Sequence, residues 1–177
     1  MNTALLIMDV QVGMFSDPEE QPYNGEAVLE NIQTILYAAR DAKIPVIFIK
    51  HTASRGELSR GMPTWEICAQ ISPLDTEVVI EKTSWDAFHN TNLNETLLAF
   101  KTNKLIITGL QTEFCVDTTC RRAYYLGYKS ILASDAHTTF DSKILSGAQI
   151  VEHHNYILGG RFVSLKSTDD IIHDLKC

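Results

Sequence analysis

The chain has 177 residues, 45% of them hydrophobic and 21% charged, which is the make-up of one globular domain able to bury roughly 70% of its extended surface. Fifteen basic residues against 22 acidic ones give a formal net charge of -7, which disfavours a nucleic-acid phosphate surface or an anionic membrane as partner. No apolar run approaches the roughly 18 residues of a spanning helix, and residues 1–10 lack the basic start of a signal peptide.

Short apolar runs alternate with amphipathic segments along the chain. The first run, residues 4–8, reads as a strand buried on both faces and ends on Asp9. Val28, Leu29, Ile32, Ile35, Leu36 and Ala39 then form one helical stripe. Further strand-like runs follow at residues 45–49 and 78–80, the latter leading into Glu81-Lys82. Asn92, with Glu95 three residues on, predicts a capping-box start to a helix carrying Leu93, Leu97 and Leu98. A fourth run, residues 105–107, passes through Thr108-Gly109 to Cys115, and Val116, Cys120, Ala123 and Tyr124 share the next helical face. Gly127 stops that helix. After a fifth run at 130–133, Asp141 opens a predicted helix with Ile144, Leu145, Ala148 and Val151 on one side. A sixth run at 162–165 precedes a last helix that starts at Thr168-Asp169-Asp170 and buries Ile171, Ile172 and Leu175. Such alternation predicts a single α/β domain spanning residues 1–177, built from βαβ units with a parallel sheet and helices on both faces. No repeat or linker divides it.

In that architecture, sites form beyond the carboxyl ends of the strands. Asp9, Lys82 and Cys115 all fall at that edge. A cysteine near a helix start and beside a lysine gains thiolate character, a carboxylate within reach can take its proton, and Gly109 permits a tight loop whose N–H groups face an oxyanion. A lone cysteine is more often a small packing hydrophobe, so the weight rests on three complementary groups at three strand ends.

Three segments sharpen the reading. Leu5-Leu6-Ile7-Met8-Asp9-Val10-Gln11 resembles the opening motif of the isochorismatase-like cysteine hydrolases. Glu81-Lys82 followed by Thr83-Ser84-Trp85-Asp86-Ala87-Phe88 resembles their lysine segment, and Thr108-Gly109-Leu110-Gln111-Thr112-Glu113-Phe114-Cys115-Val116 their nucleophile loop. The wording of Gln111-Thr112-Glu113 and Asp117-Thr118-Thr119-Cys120 is most similar to streptothricin-hydrolase-type members. The resemblance implies a three-layer αβα fold with a six-stranded parallel sheet, an Asp9–Lys82–Cys115 triad, and a cis peptide between Leu110 and Gln111. It further implies an oxyanion hole made by the N–H groups of Gln111 and Cys115, a small-molecule amide as substrate, and a homodimer or homotetramer. Nicotinamidase-type members carry an Asp-x-His pair and a further His that bind metal after strand two. Here Lys50-His51-Thr52-Ala53 leaves His51 alone, so no metal and no cofactor is expected. Isochorismatases proper lack the nucleophilic cysteine that this chain has, which makes vinyl-ether hydrolysis the lesser alternative beside a nicotinamidase-type activity.

Trp85 and Phe88, close after Lys82, are candidate pocket walls, with Phe15, Trp65 and the Gln111 side chain as further substrate-binding candidates. Trp65 lies in Met62-Pro63-Thr64-Trp65-Glu66-Ile67, which resembles a family loop near the site, and is equally a packing anchor. His89, His137, His153, His154 and His173 have no ligand-like spacing and read as surface or capping residues. Cys68 and Cys120 read as structural and Cys177 as exposed, while Asp17, Glu19 and Glu20 read as a solvated loop. Four cysteines without a pairing pattern fit a reducing, cytoplasmic setting. Two rivals stay open: a peroxidatic Cys115 resolved by Cys120, and a non-catalytic scaffold on the same fold. A nucleotide binder is disfavoured, because Asp9-Val10-Gln11-Val12-Gly13 has no phosphate-loop pattern.

Overall fold

The computed structural model describes residues 2–176, so Cys177 lies outside the described residues. Six strands, β1 (Thr3–Met8), β2 (Val46–His51), β3 (Val78–Lys82), β4 (Lys104–Leu110), β5 (Lys129–Thr138) and β6 (Ser164–Lys166), form one sheet in the order β3-β2-β1-β4-β5-β6. Every neighbouring pair is parallel. Central strand β1 is buried from Ala4 to Met8 because helices cover both faces, which is why its sequence shows no alternation.

Helices α1 (Gly25–Asp41) and α5 (Thr168–Lys176) pack on one face through Val28, Ile32, Ile35, Leu36, Ala39 and Ile171. On the other face lie α2 (Leu93–Ala99), α3 (Asp117–Tyr125) and α4 (Gly147–Leu158), which bury Leu93, Leu97, Cys120, Ala123 and Leu158. This is the expected three-layer αβα architecture. Among the described residues, no helix is long and apolar enough to cross a membrane.

Strand order reverses beside β1: the chain steps outward to β2 and β3, then returns to β4 on the opposite side. The cleft at such a switch point lies between the carboxyl ends of β1 and β4. There, Gly109 has φ +113, and a Cβ on it would come within 2.1 Å of the Met8 carbonyl oxygen. Only glycine lets the two backbones meet this closely. The pairing of β4 with β5 is irregular here, two steps on β4 from Ile107 to Gly109 facing five on β5 from Leu132 to His137.

Several expectations are corrected. The helix expected from Asp141 begins at Gly147, because Ser146 and Gln149 form the capping box and the Asp141 carboxylate accepts from the Gly147 N–H at 2.7 Å. Ile144 and Leu145 therefore lie outside it and are exposed. Asn92 makes no side-chain cap; Thr91 Oγ1 accepts from the Leu93 N–H instead. Leu98 and Tyr124 are exposed, so each is off its expected buried stripe. Phe88 packs in the same core cluster as Cys115, stacked on Tyr128 with ring centroids 5.9 Å apart. His137 is buried, not at the surface.

Candidate active site

Asp9 follows β1 directly and adopts φ +51, a left-handed conformation that Asp tolerates better than most residues. Its N–H donates to the Ile49 carbonyl, and its own carbonyl accepts from the Gln11 N–H. This tight turn swings the carboxylate into the cleft, where it is fully buried. Lys82, the last residue of β3, is equally buried, and its ammonium stands 2.7 Å from Asp9 Oδ2. Beyond the Lys82–Cys115 pair that faces it, the carboxylate has no hydrogen-bond partner among the described residues.

Cys115 sits in a single wide turn, Thr112–Val116, in which the Val116 N–H reaches back five residues to the Gln111 carbonyl at 3.1 Å. The Leu110–Gln111 peptide preceding this turn is cis. Lys82 Nζ donates to Cys115 Sγ at 3.1 Å and to the Ser84 carbonyl at 3.0 Å, and lies 3.3 Å from His51 Nδ1. Ligating atoms of Asp9, His51 and Cys115 all lie within 4.8 Å of one another, the span of a potential metal-binding trio. The Lys82 ammonium contacts all three residues, so a fixed cation already stands at the focus of these donors.

The electrostatics run against a standing thiolate. Desolvation, then the negative charge of Asp9, push the Cys115 thiol up to about 12, overriding the opposing pull of Lys82. Lys82 is held above the usual range: burial alone would lower it, but Asp9 and then Cys115 more than offset that. Burial and Asp9 thus oppose the thiolate character expected at a helix start, and Lys82 is the group that favours it. Its turn runs without a break into α3, through Val116 and Asp117 in helical conformation, while Asp9 supplies negative charge at the thiol.

A cavity of 430 Å³ opens beside Lys82, lined by His51, Thr52, Ala53, Ser54 and Thr83. Trp65 lies beneath it, buried, donating its indole N–H to Thr52 Oγ1 at 3.0 Å and carrying the Lys50 ammonium 3.2 Å from its ring centroid. It is thus the packing anchor of that wall. Trp85 is exposed, with its ring 6.2 Å from that of Phe114, the residue before Cys115. Phe15 packs with the α1-side cluster. Gln111 is half-buried, and its carbonyl is taken up by the turn.

Two supporting residues escaped the sequence reading. Gln11 is fully buried and clamps the site from behind: it donates to the His51 and Trp65 carbonyls at 3.0 and 2.8 Å and accepts from the His51 N–H at 2.8 Å. A glutamine two residues beyond a strand-end acid was the only signal. Phe114, directly before the nucleophile candidate, was legible only as part of the loop motif.

The chain matches the isochorismatase domain family over residues 3–151. It is 34% identical over 181 residues to an uncharacterized isochorismatase family protein of Bacillus subtilis, covering 97% of this chain and 95% of that protein. A streptothricin hydrolase of Streptomyces noursei is 34% identical over 139 residues, covering 78% of this chain but only 50% of the hydrolase. An N-carbamoylsarcosine amidase of Arthrobacter is 28% identical over 169 residues, covering 85% of this chain and 62% of the amidase. A crystal structure of an isochorismatase family protein superposes with a TM-score of 0.88 at 38% identity, covering 94% of this chain and 98% of that one.

Proposed function

The chain belongs to the isochorismatase family of hydrolases, and on that footing we propose that Asp9, Lys82 and Cys115 form the triad of a cysteine hydrolase cleaving a C–N amide bond of a small molecule. One observation carries the reading: a buried carboxylate and a buried thiol share one ammonium, at 2.7 and 3.1 Å.

That arrangement suits a coupled proton transfer better than a resting ion pair. As Sγ attacks the amide carbonyl, Asp9 takes the thiol proton, and Lys82 stays beside the sulfur as negative charge develops. The N–H groups of Gln111 and Cys115 hold the oxyanion; one such donor is typically worth about 3–4 kcal/mol. Protonated Asp9 returns its proton to the departing amine as the C–N bond breaks, leaving a thioester. A water then gives its proton to Asp9, attacks the thioester carbonyl, and releases the acid; the proton on Asp9 goes back to the sulfur. A peroxidatic role fits less well, since it needs a standing thiolate, and Cys120 is fully buried with its thiol raised by desolvation.

The test is a screen of small amides for ammonia or amine release, run beside Cys115→Ala. At least one amide is expected to turn over with the wild-type protein and not with the variant. Turnover that survives Cys115→Ala, or amide turnover undiminished in Asp9→Asn, sinks the mechanism.

A further inference from the structure

His51 is the one member of the buried cluster that the proposed chemistry leaves idle. Its backbone is held more firmly than most strand ends, with both N–H and carbonyl bonded to the Gln11 side chain. Its Nδ1 lies 3.3 Å from Lys82 Nζ. An ammonium has only protons to offer, so Nδ1 presents its lone pair and the ring proton sits on Nε2. Burial, then the charge of Lys82, hold the ring below its ordinary pKa against the opposing pull of Asp9, which keeps it in this form at neutral pH.

The ring edge that remains is a donor with no partner among the described residues, and the residue lines the 430 Å³ cavity. Its neighbours there are Thr52, Ala53, Ser54 and Thr83, so hydroxyls of Ser54 and Thr83 stand among hydrocarbon on the same wall. A half-buried N–H facing such a space calls for an acceptor.

We propose that His51 is a positioning residue of this site, its Nδ1 accepting from Lys82 and its Nε2–H donating to an acceptor atom that a polar amide substrate carries close to the scissile bond. This rests on the hydrolase reading of the same cluster. The two ring nitrogens thereby tie the placement of the ammonium to the placement of the substrate, and Gln11 fixes both by fixing the backbone of His51. Substrates whose amide is flanked by hydrocarbon alone leave the Nε2–H unpaired and bind less well.

Iodoacetamide is a direct probe. Displacement of iodide by Cys115 sulfur forms a C–S bond and leaves a carboxamide, with its carbonyl acceptor, beside the cavity. Histidine-specific 15N labelling with long-range proton–nitrogen spectra reads the tautomer. His51 is expected as the Nε2–H form at pH 7, with that proton moving downfield once Cys115 is alkylated. His51→Leu is expected to slow alkylation of Cys115 about tenfold, the size of one hydrogen bond, while His51→Gln, which keeps a donor near the Nε2 position, stays within about threefold. An Nδ1–H tautomer, an Nε2–H unmoved by the adduct, or Gln and Leu variants equally slow overturns the proposal. A Cys115 that iodoacetamide never modifies counts against the hydrolase reading, while the tautomer still decides the role of His51.

Discussion

Thr112, the first residue of the turn that carries Cys115, bonds through its hydroxyl to Nδ1 of the buried His137 at 2.9 Å, and His137 Nε2 in turn meets Asn155 Oδ1 on α4 at 3.0 Å. Since Asn155 Nδ2 donates to the Ser134 carbonyl, its Oδ1 is the acceptor and the His137 proton is on Nε2. The turn that carries Cys115 is thereby tied through β5 to α4, on the same face of the sheet as α3, by a ring that must remain neutral.

That requirement has a pH signature. Desolvation lowers His137 from 6.5 to about 4. A base whose folded pKa lies below its unfolded one stabilises the fold above the unfolded value and loses that contribution as pH falls toward the folded value. Wild-type stability is expected to drop between about pH 6.5 and pH 4 by roughly 3 kcal/mol from this residue, and His137→Gln to flatten that part of the curve. Urea midpoints across this range check it; a variant as acid-sensitive as wild type refutes it.

Lys82 and Asp9 are the costliest groups to separate. Each is buried, and removing one leaves the other as an unpaired charge. Lys82→Met is expected to cost about 3–5 kcal/mol. Adding Asp9→Asn to it should restore much of that loss while leaving the protein inactive. A double variant no more stable than Lys82→Met, measured by chemical unfolding, means that the pair is not coupled.

Gly109→Ala should be among the most damaging single-methyl additions in this chain. The new Cβ meets Met8 backbone at 2.1 Å, and φ +113 disfavours any side chain. A loss of at least about 3 kcal/mol is expected. Gly127→Ala, where φ is +90 but nothing lies within 4 Å, should cost about 1 kcal/mol or slightly more. Equal melting temperatures for the two variants would mean that contact with β1 is not what constrains residue 109.

The strands were legible because parallel strands buried on both faces leave unbroken apolar runs, and the candidate triad was legible because Asp9 and Lys82 close such runs and Cys115 follows one in the loop beyond it. What the sequence concealed was direction. Phe88 and Trp85 stand three residues apart in one loop, yet one stacks in the core on Tyr128 and the other reaches solvent beside Phe114. No periodicity governs a loop, so nothing in the residue types separates the two. His137 was misread for a related reason: β5 runs on to Thr138, past the apolar run that marked it, and its last residues are polar yet buried because each finds a bonding partner. Gln11 is the same case beside Asp9. The sense of the Cys115 shift was also hidden, because it depends first on how deeply the fold buries the sulfur and then on the balance of Asp9 and Lys82 around it.

The buried thiols predict how the fold fails in base. Desolvation raises Cys68 to about 11 and Cys115 to about 12, and raises Cys120 further. An acid whose folded pKa exceeds its unfolded one binds more protons in the native state, so stability falls once pH passes the unfolded value, here near 9.0. The melting temperature is expected to fall steadily from about pH 9 upward, by the combined titration of the three thiols, to which Tyr128 and Lys82, both also raised, add in the same direction. Cys115→Ala removes one of the three and also relieves the site of a thiol that Asp9 holds protonated. This variant should therefore show a shallower alkaline slope than wild type while keeping the same acid limb, since His137 is untouched. An unchanged alkaline slope in Cys115→Ala would mean that the sulfur already ionises near its unfolded value, and with that the need for Asp9 as base would disappear.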